Sequence, residues 1–373
     1  MPRLAPVTTA TRPLSCAGIP LTVPGHYRET ETRSSVREVV VEVAHRFVTG
    51  NGVRLHVAEQ GAGDPVVFCH GFPHTWFVWH RQMEAVANAG FRALAPDMRG
   101  YGRSDIPDGV DAYTNEAVIG DLLALLDDIG AQQAVFVGLD FGAALLWELA
   151  LRAPERVRGL VVLNNPFTPR APRVPSSYWS KMAERHFLHL EYFREPGVAD
   201  TALAARPREF LSRVYYALSG DYHYLDTWRN PPGISYLEAL PEAPSLPWKW
   251  LSSEEFDTLA ADFERTGFTG GLSWYRAIDR NWELTADYAG ASVGVPVYFI
   301  YGENDPDMEG FSGRDPLDTM RAHVPDLRAV EKVDGAGHLV QLERSDAVNA
   351  FLLESLRGLG VAGEFAEERS TSA

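Results

Sequence analysis

The chain has 373 residues, 45% of them apolar and 11% aromatic, enough for one large core or for a core carrying a substantial insertion. A formal net charge of -16 excludes a sizeable nucleic-acid surface, because phosphate binding needs clustered Lys and Arg. The two cysteines, Cys16 and Cys69, form no C-x-x-C pair, no apolar run approaches the roughly 18 residues of a membrane span, and residues 1–20 hold no signal-type apolar core, so a cytoplasmic protein is expected.

In chain order, residues 1–37 are rich in Pro, Thr, Ser and Arg without a period and read as an irregular extension. Residues 36–48 predict a first strand through Val39-Val40-Val41 and Phe47-Val48. Asn51-Gly52 marks a hairpin turn, and residues 53–57 alternate as its second strand. Short apolar runs then recur at residues 65–69, 91–95, 134–138 and 157–163, separated by helical spacing near 79–89, 117–126 and 141–151. Buried strands alternating with helices predict an α/β fold with a mostly parallel sheet flanked by helices.

The rhythm stops between residues 166 and 289, a stretch dense in aromatics that reads as helices and loops. It resumes with a strand at 295–300, a helix at 316–323, a strand at 327–333 and a helix at 347–359. The expected organisation is therefore a core of residues 38–165 and 290–360, an inserted, mainly helical cap of 166–289, and a tail of 361–373. An aromatic insertion over a sheet suits a covered, water-poor active site.

Three strand ends carry chemistry. Gly138-Leu139-Asp140-Phe141-Gly142 joins a strand to a helix in the G-x-nucleophile-x-G pattern, with Asp140 where Ser is usual. An Asp before a helix can be a plain N-cap, so the pattern alone is weak. His70-Gly71-Phe72-Pro73 follows the first buried strand, which sets the backbone N–H groups of Phe72 and Phe141 as a candidate oxyanion hole. Asp305, in Glu303-Asn304-Asp305-Pro306, and His338, in Gly335-Ala336-Gly337-His338, follow later strands as candidate acid and base. Asn164 and Asn165 put no carboxylate after the 157–163 strand, which leaves Asp305 as the acid. No metal-ligand spacing and no G-x-G-x-x-G stand out.

These motifs, with Asp97-Met98-Arg99-Gly100-Tyr101-Gly102-Arg103-Ser104-Asp105, resemble the epoxide hydrolases of the α/β-hydrolase fold over about residues 37–358. So do Tyr192-Phe193-Arg194-Glu195-Pro196-Gly197-Val198-Ala199-Asp200 and Thr266-Gly267-Phe268-Thr269-Gly270-Gly271-Leu272-Ser273-Trp274-Tyr275-Arg276 in the insertion. The resemblance implies hydrolysis of an epoxide to a vicinal diol through a covalent ester on Asp140, with His338 and Asp305 activating water. It also implies two cap tyrosines that hold the epoxide oxygen. Tyr275 matches one; the other position falls on His189, with Tyr192 as an alternative donor. Phe141 and Leu139 stand where many relatives have Trp and His.

No cofactor or metal is implied, and the expected partner is a small epoxide bearing an apolar or aryl group, with no nucleic acid or membrane; a homodimer is compatible. If His189 titrates near 6.5, ring opening would depend more sharply on pH than with a tyrosine pair. Haloalkane dehalogenase is the alternative enzyme, but Phe72 and Phe141 offer no side-chain donor to a halide. A binding protein that has kept a hydrolase fold is the alternative from another class.

Overall fold

A computed structural model describes residues 42–309 and 315–361. The expected extension, the Val39-Val40-Val41 run, Cys16 and the tail from residue 362 lie outside the described residues. The sheet has eight strands: β1 (Ala44–Gly50), β2 (Val53–Gly61), β3 (Pro65–Cys69), β4 (Arg92–Pro96), β5 (Ala134–Leu139), β6 (Val157–Leu163), β7 (Val297–Gly302) and β8 (Leu327–Val333). Their order is β1-β2-β4-β3-β5-β6-β7-β8. β1 pairs antiparallel with β2, β2 antiparallel with β4, and all other neighbours are parallel.

The hairpin follows from its turn. Asn51 and Gly52 take φ of 50° and 77°, which suits a two-residue connection, and Gly50 pairs with Val53. Every residue of β5 is buried, and Val66, Val67, Phe136, Val161 and Phe299 are fully enclosed. Apolar faces on both sides of the central strands explain their unalternating sequence.

Helices α1 (His80–Asn88), α2 (Asn115–Asp128) and α3 (Phe141–Arg152) connect the first six strands. Thr114 caps α2 by accepting from the Ala117 N–H. Between β6 and β7 run α4 (Ser176–Ala183), α5 (His189–Tyr192), α6 (Val198–Ala204), α7 (Pro207–Leu218), α8 (Tyr236–Ala239), α9 (Ser253–Thr266), α10 (Thr269–Arg276) and α11 (Ile278–Leu284). The chain closes with α12 (Pro316–His323), α13 (Val340–Glu343) and α14 (Ser345–Gly358). No helix among the described residues is long and apolar enough to cross a membrane.

The helices between β6 and β7 are tied to each other and to the sheet. Arg276 on α10 pairs with Asp200 on α6 at 2.5 Å. The Trp274 indole N–H donates to the Arg99 carbonyl (3.0 Å), and Arg99 is itself held by buried Asp121 (2.6 Å). Because β3, β5, β6, β7 and β8 run parallel, the loops that leave their carboxyl ends all open on one edge of the sheet, where ligands bind in folds of this kind.

Candidate active site

Asp140 sits where β5 turns into α3, with φ 56° and ψ -127°, a conformation that costs a non-glycine residue about 1–3 kcal/mol. Two close approaches hold the turn. A Cβ on Gly142 would lie 2.0 Å from the Cys69 carbonyl, and one on Gly71 would lie 1.9 Å from Asp140 Oδ1. With only hydrogen at Gly71, the His70 loop comes near enough for the Phe72 N–H to donate to Asp140 Oδ1 at 2.8 Å.

His338 stands on the loop after β8, its Nε2 3.7 Å from Asp140 Oδ2 and its Nδ1 2.5 Å from Asp305 Oδ2. Asp305 is fully buried after β7, and its other oxygen accepts from the Asp307 N–H (2.7 Å). Asn164, at φ 66°, donates to the His338 carbonyl (2.6 Å) and accepts from the Gly302 N–H (2.9 Å), which ties the His338 loop to the end of β7. Three loops from separate strands thus converge within a few ångströms.

The charges are mutually adjusted. Burial alone raises the Asp140 carboxyl, but the hydrogen bond and charge of His338, with the amides of Phe141 and Phe72, prevail and hold it below the usual carboxylate range. Burial works against a charge on His338 as well, yet the Asp305 carboxylate and the contact with Asp140 push its pKa well above the ordinary value. In the resting site an imidazolium therefore lies between two carboxylates.

Above Asp140 lies a cavity of 360 Å³ with an adjoining pocket of 80 Å³. Asp140, His189, Tyr224, Tyr275, Pro306 and Asp307 border both. The larger space is walled mainly by aromatic and aliphatic side chains, among them Tyr178, Trp179, Met182 and Trp228. Of the aromatics expected in the insertion, Tyr178, Trp179, Trp228 and Tyr275 reach the cavity, whereas Phe187, Phe193, Tyr215 and Trp250 pack in the core.

Tyr275 and His189 both face Asp140 across this space. The Tyr275 ring is set edge-on against Phe141 (4.6 Å) and Phe72 (5.4 Å), so the residues that offer backbone N–H groups to Asp140 also orient the phenol with their rings. Tyr192 is not among the cavity residues; it borders a separate groove with Pro232 and Ile234. Burial brings His189 down to about 4, so it is neutral at physiological pH, and the sharper pH dependence expected from a value near 6.5 does not follow.

Four further polar residues escaped the sequence. The Tyr224 hydroxyl lies 3.0 Å from His189 Nδ1 and 2.6 Å from the Tyr236 hydroxyl. Asn165 donates its side-chain amide to Asp307, whose carboxyl burial and the neighbouring Asp305 charge raise to about 7. No periodicity marks the tyrosines, since they meet only in three dimensions; the alternating acids of Asp305-Pro306-Asp307 are a signal that could have found Asp307. Asp305, Asp307 and His338 also place atoms able to bind a cation within 4.8 Å of one another. The 2.5 Å contact between His338 and Asp305 already engages two of the three, as in an acid–base pair.

Known proteins resemble this chain along most of its length. Residues 64–345 match the alpha/beta hydrolase fold family. The chain is 41% identical over 318 residues to epoxide hydrolase A of Mycobacterium tuberculosis, covering 84% of this chain and 97% of that protein. It is 36% identical to bifunctional epoxide hydrolase 2 of Sus scrofa over 82% of this chain, which spans 53% of that larger protein. The crystal structure of epoxide hydrolase A from Mycobacterium thermoresistibile superposes with a TM-score of 0.80 at 41% identity, over 85% of this chain and 99% of that one. An epoxide hydrolase from an endophytic Streptomyces gives 0.81 at 35% identity, over 85% and 96%. With an aspartate on the elbow, a histidine–aspartate pair behind it and relatives of this kind along most of its length, the chain belongs to the epoxide hydrolases of the α/β-hydrolase fold.

Proposed function

We propose that the protein hydrolyses an epoxide to a vicinal diol through a covalent alkyl ester on Asp140, with residues 166–289 as the cap. The observation that carries this is the Asp140 carboxylate, depressed in pKa and facing Tyr275 and His189 across an aromatic cavity. Asp140 attacks one oxirane carbon, the carbon–oxygen bond breaks, and the departing oxygen takes the Tyr275 proton while His189 donates a hydrogen bond. Esterification removes the Asp140 charge, one of the influences that hold a proton on His338. That proton is then free to replace the one Tyr275 gave up.

Neutral His338, oriented by Asp305, takes a proton from water as the hydroxide adds to the ester carbonyl. The N–H groups of Phe72 and Phe141 stabilise the oxyanion. Collapse expels the diol oxygen, which takes the proton from His338. Asp140 is left as an acid whose proton returns to His338, and the cycle closes.

His189 serves as a donor only if its cavity-facing nitrogen carries hydrogen. The Tyr224 hydroxyl lies between the Tyr236 hydroxyl and His189 Nδ1, and the Tyr236 hydroxyl makes no other hydrogen bond among the described residues. When Tyr236 donates to Tyr224 and Tyr224 to Nδ1, every hydroxyl proton is used, and the imidazole is fixed with its hydrogen on Nε2.

The wall of Tyr178, Trp179, Met182 and Trp228 suits an apolar or aryl substituent. The test is a single turnover of excess enzyme on styrene oxide in ¹⁸O-labelled water. Label in Asp140 with unlabelled first-turnover diol is the expected result; diol labelled at once refutes the ester.

A further inference from the structure

Asp307 has no part in the steps above, yet it borders the larger cavity and the smaller pocket alike, beside Asp140. Protein surrounds it, but its side chain keeps surface open to the cavity. The Asn165 amide engages Oδ2, and no other hydrogen bond to the Asp307 side chain is made among the described residues. A carboxyl buried with one oxygen unengaged is costly, and here it stands in a wall that is otherwise mostly aromatic and aliphatic. Single polar groups in such walls fix the orientation of a ligand.

We propose that Asp307, backed by Asn165, is a polar subsite that binds a hydroxyl group on the substrate next to the oxirane, so that the preferred substrates are hydroxy-epoxides with an aryl or alkyl arm. This deepens the epoxide-hydrolase function proposed above and rests on it. Asp307 lies on the sheet side of the cavity, in the short helical turn that follows β7, whereas Tyr275 and His189 approach from helices α10 and α5. The ring oxygen and a neighbouring hydroxyl would thus be held from opposite sides of the cavity, with Asp140 on the sheet side beside Asp307.

The neighbourhood favours a hydroxyl over an ammonium. Burial and the adjoining Asp305 carboxylate keep Asp307 partly protonated near neutrality, and an acid of this kind both donates and accepts, as a hydroxyl does. An ammonium would require the anion, a third negative charge beside Asp140 and Asp305.

The experiment compares kcat/KM for phenylglycidol, for β-methylstyrene oxide, which lacks only the hydroxyl, and for the aminomethyl counterpart. In the wild-type enzyme phenylglycidol is expected to lead β-methylstyrene oxide by about tenfold to a hundredfold, as for a hydrogen bond to a charged or strongly polar buried group. Asp307→Leu should collapse that ratio towards one, and Asp307→Asn, which keeps an acceptor and a donor, should retain much of it. A wild-type ratio near one, a ratio unchanged by Asp307→Leu, or a lead for the aminomethyl compound each overturns the subsite while leaving epoxide hydrolysis intact. No turnover of any of the three by the wild-type enzyme removes the parent function, and the subsite with it.

Discussion

Replacing Tyr224 by Phe isolates the hydroxyl that stands between Tyr236 and His189. The change keeps the ring and its packing against the imidazole, 5.7 Å between centroids, and deletes one oxygen that serves two hydrogen bonds. The bond to His189 Nδ1 is worth about 0.5–1.5 kcal/mol, which converts to roughly a 2- to 13-fold fall in the rate of ester formation. The bond to Tyr236 acts on folding instead, and its loss should cost stability of about 1 kcal/mol. Rapid-quench mass spectrometry of excess enzyme with styrene oxide measures the first quantity, and urea unfolding the second. A structural defect alone would also slow ester formation, so the deciding measurement repeats the change in a His189→Tyr background, where a phenol needs no fixed tautomer. There Tyr224→Phe should leave the rate of ester formation nearly untouched. An equal loss in both backgrounds, or a ¹⁵N spectrum of His189 with hydrogen on Nδ1 in the parent enzyme, would refute the tautomer role.

Asp305→Asn should let ester form while its hydrolysis slows by roughly two to four orders of magnitude, so that intact-protein mass spectra show alkylated enzyme at steady state. Gly71→Ala drives a methyl to 1.9 Å from Asp140 Oδ1; a displacement of about 1 Å at the nucleophile should reduce kcat/KM about a hundredfold, with a stability cost of about 1–3 kcal/mol readable as a lowered Tm. His189, at about 4 in the folded chain against 6.5 unfolded, binds fewer protons folded than unfolded between those values, so it contributes stability above pH 6.5 that is lost as pH falls towards 4. His189→Gln should therefore lose less of its urea midpoint over that interval than the parent chain does, and equal losses would contradict the shifted value.

Much of the sheet was legible because its strands are uninterrupted apolar runs with clear stops. β3, β6 and β8 begin and end where the sequence places them, as does α12, whose first residue is Pro316. The first strand is shorter than expected: Glu42 and Val43 precede β1 without joining it. Asp140, Asp305 and His338 were legible as candidates because each falls in the loop or turn that ends a strand, so linear position and spatial position coincide. The insertion gave less. His189 and Tyr275 were reached through motifs, but the charge state of His189 depends on burial by residues far along the chain. Tyr224, Tyr236 and Asp307 lie on short helical turns and Asn165 on a loop, and no local period encodes their meeting.

The loop that carries His338 is fastened to the end of α7. The His338 N–H donates to the Leu218 carbonyl (2.7 Å), and one carboxylate, Glu343, accepts from both Gly220 (2.8 Å) and Gly337 (3.0 Å). Helix α7 belongs to the inserted segment and lines the smaller pocket through Val214 and Leu218, so the His338 imidazole shares its anchorage with the wall of that pocket. A roof attached in this way cannot be raised as one piece without dragging the histidine out of line with Asp140. The other end of the cavity, at Tyr178, Trp179 and Met182 on α4, has no such tie to the His338 loop among the described residues. The imidazole and the apolar wall are thereby anchored at opposite ends of the same chamber.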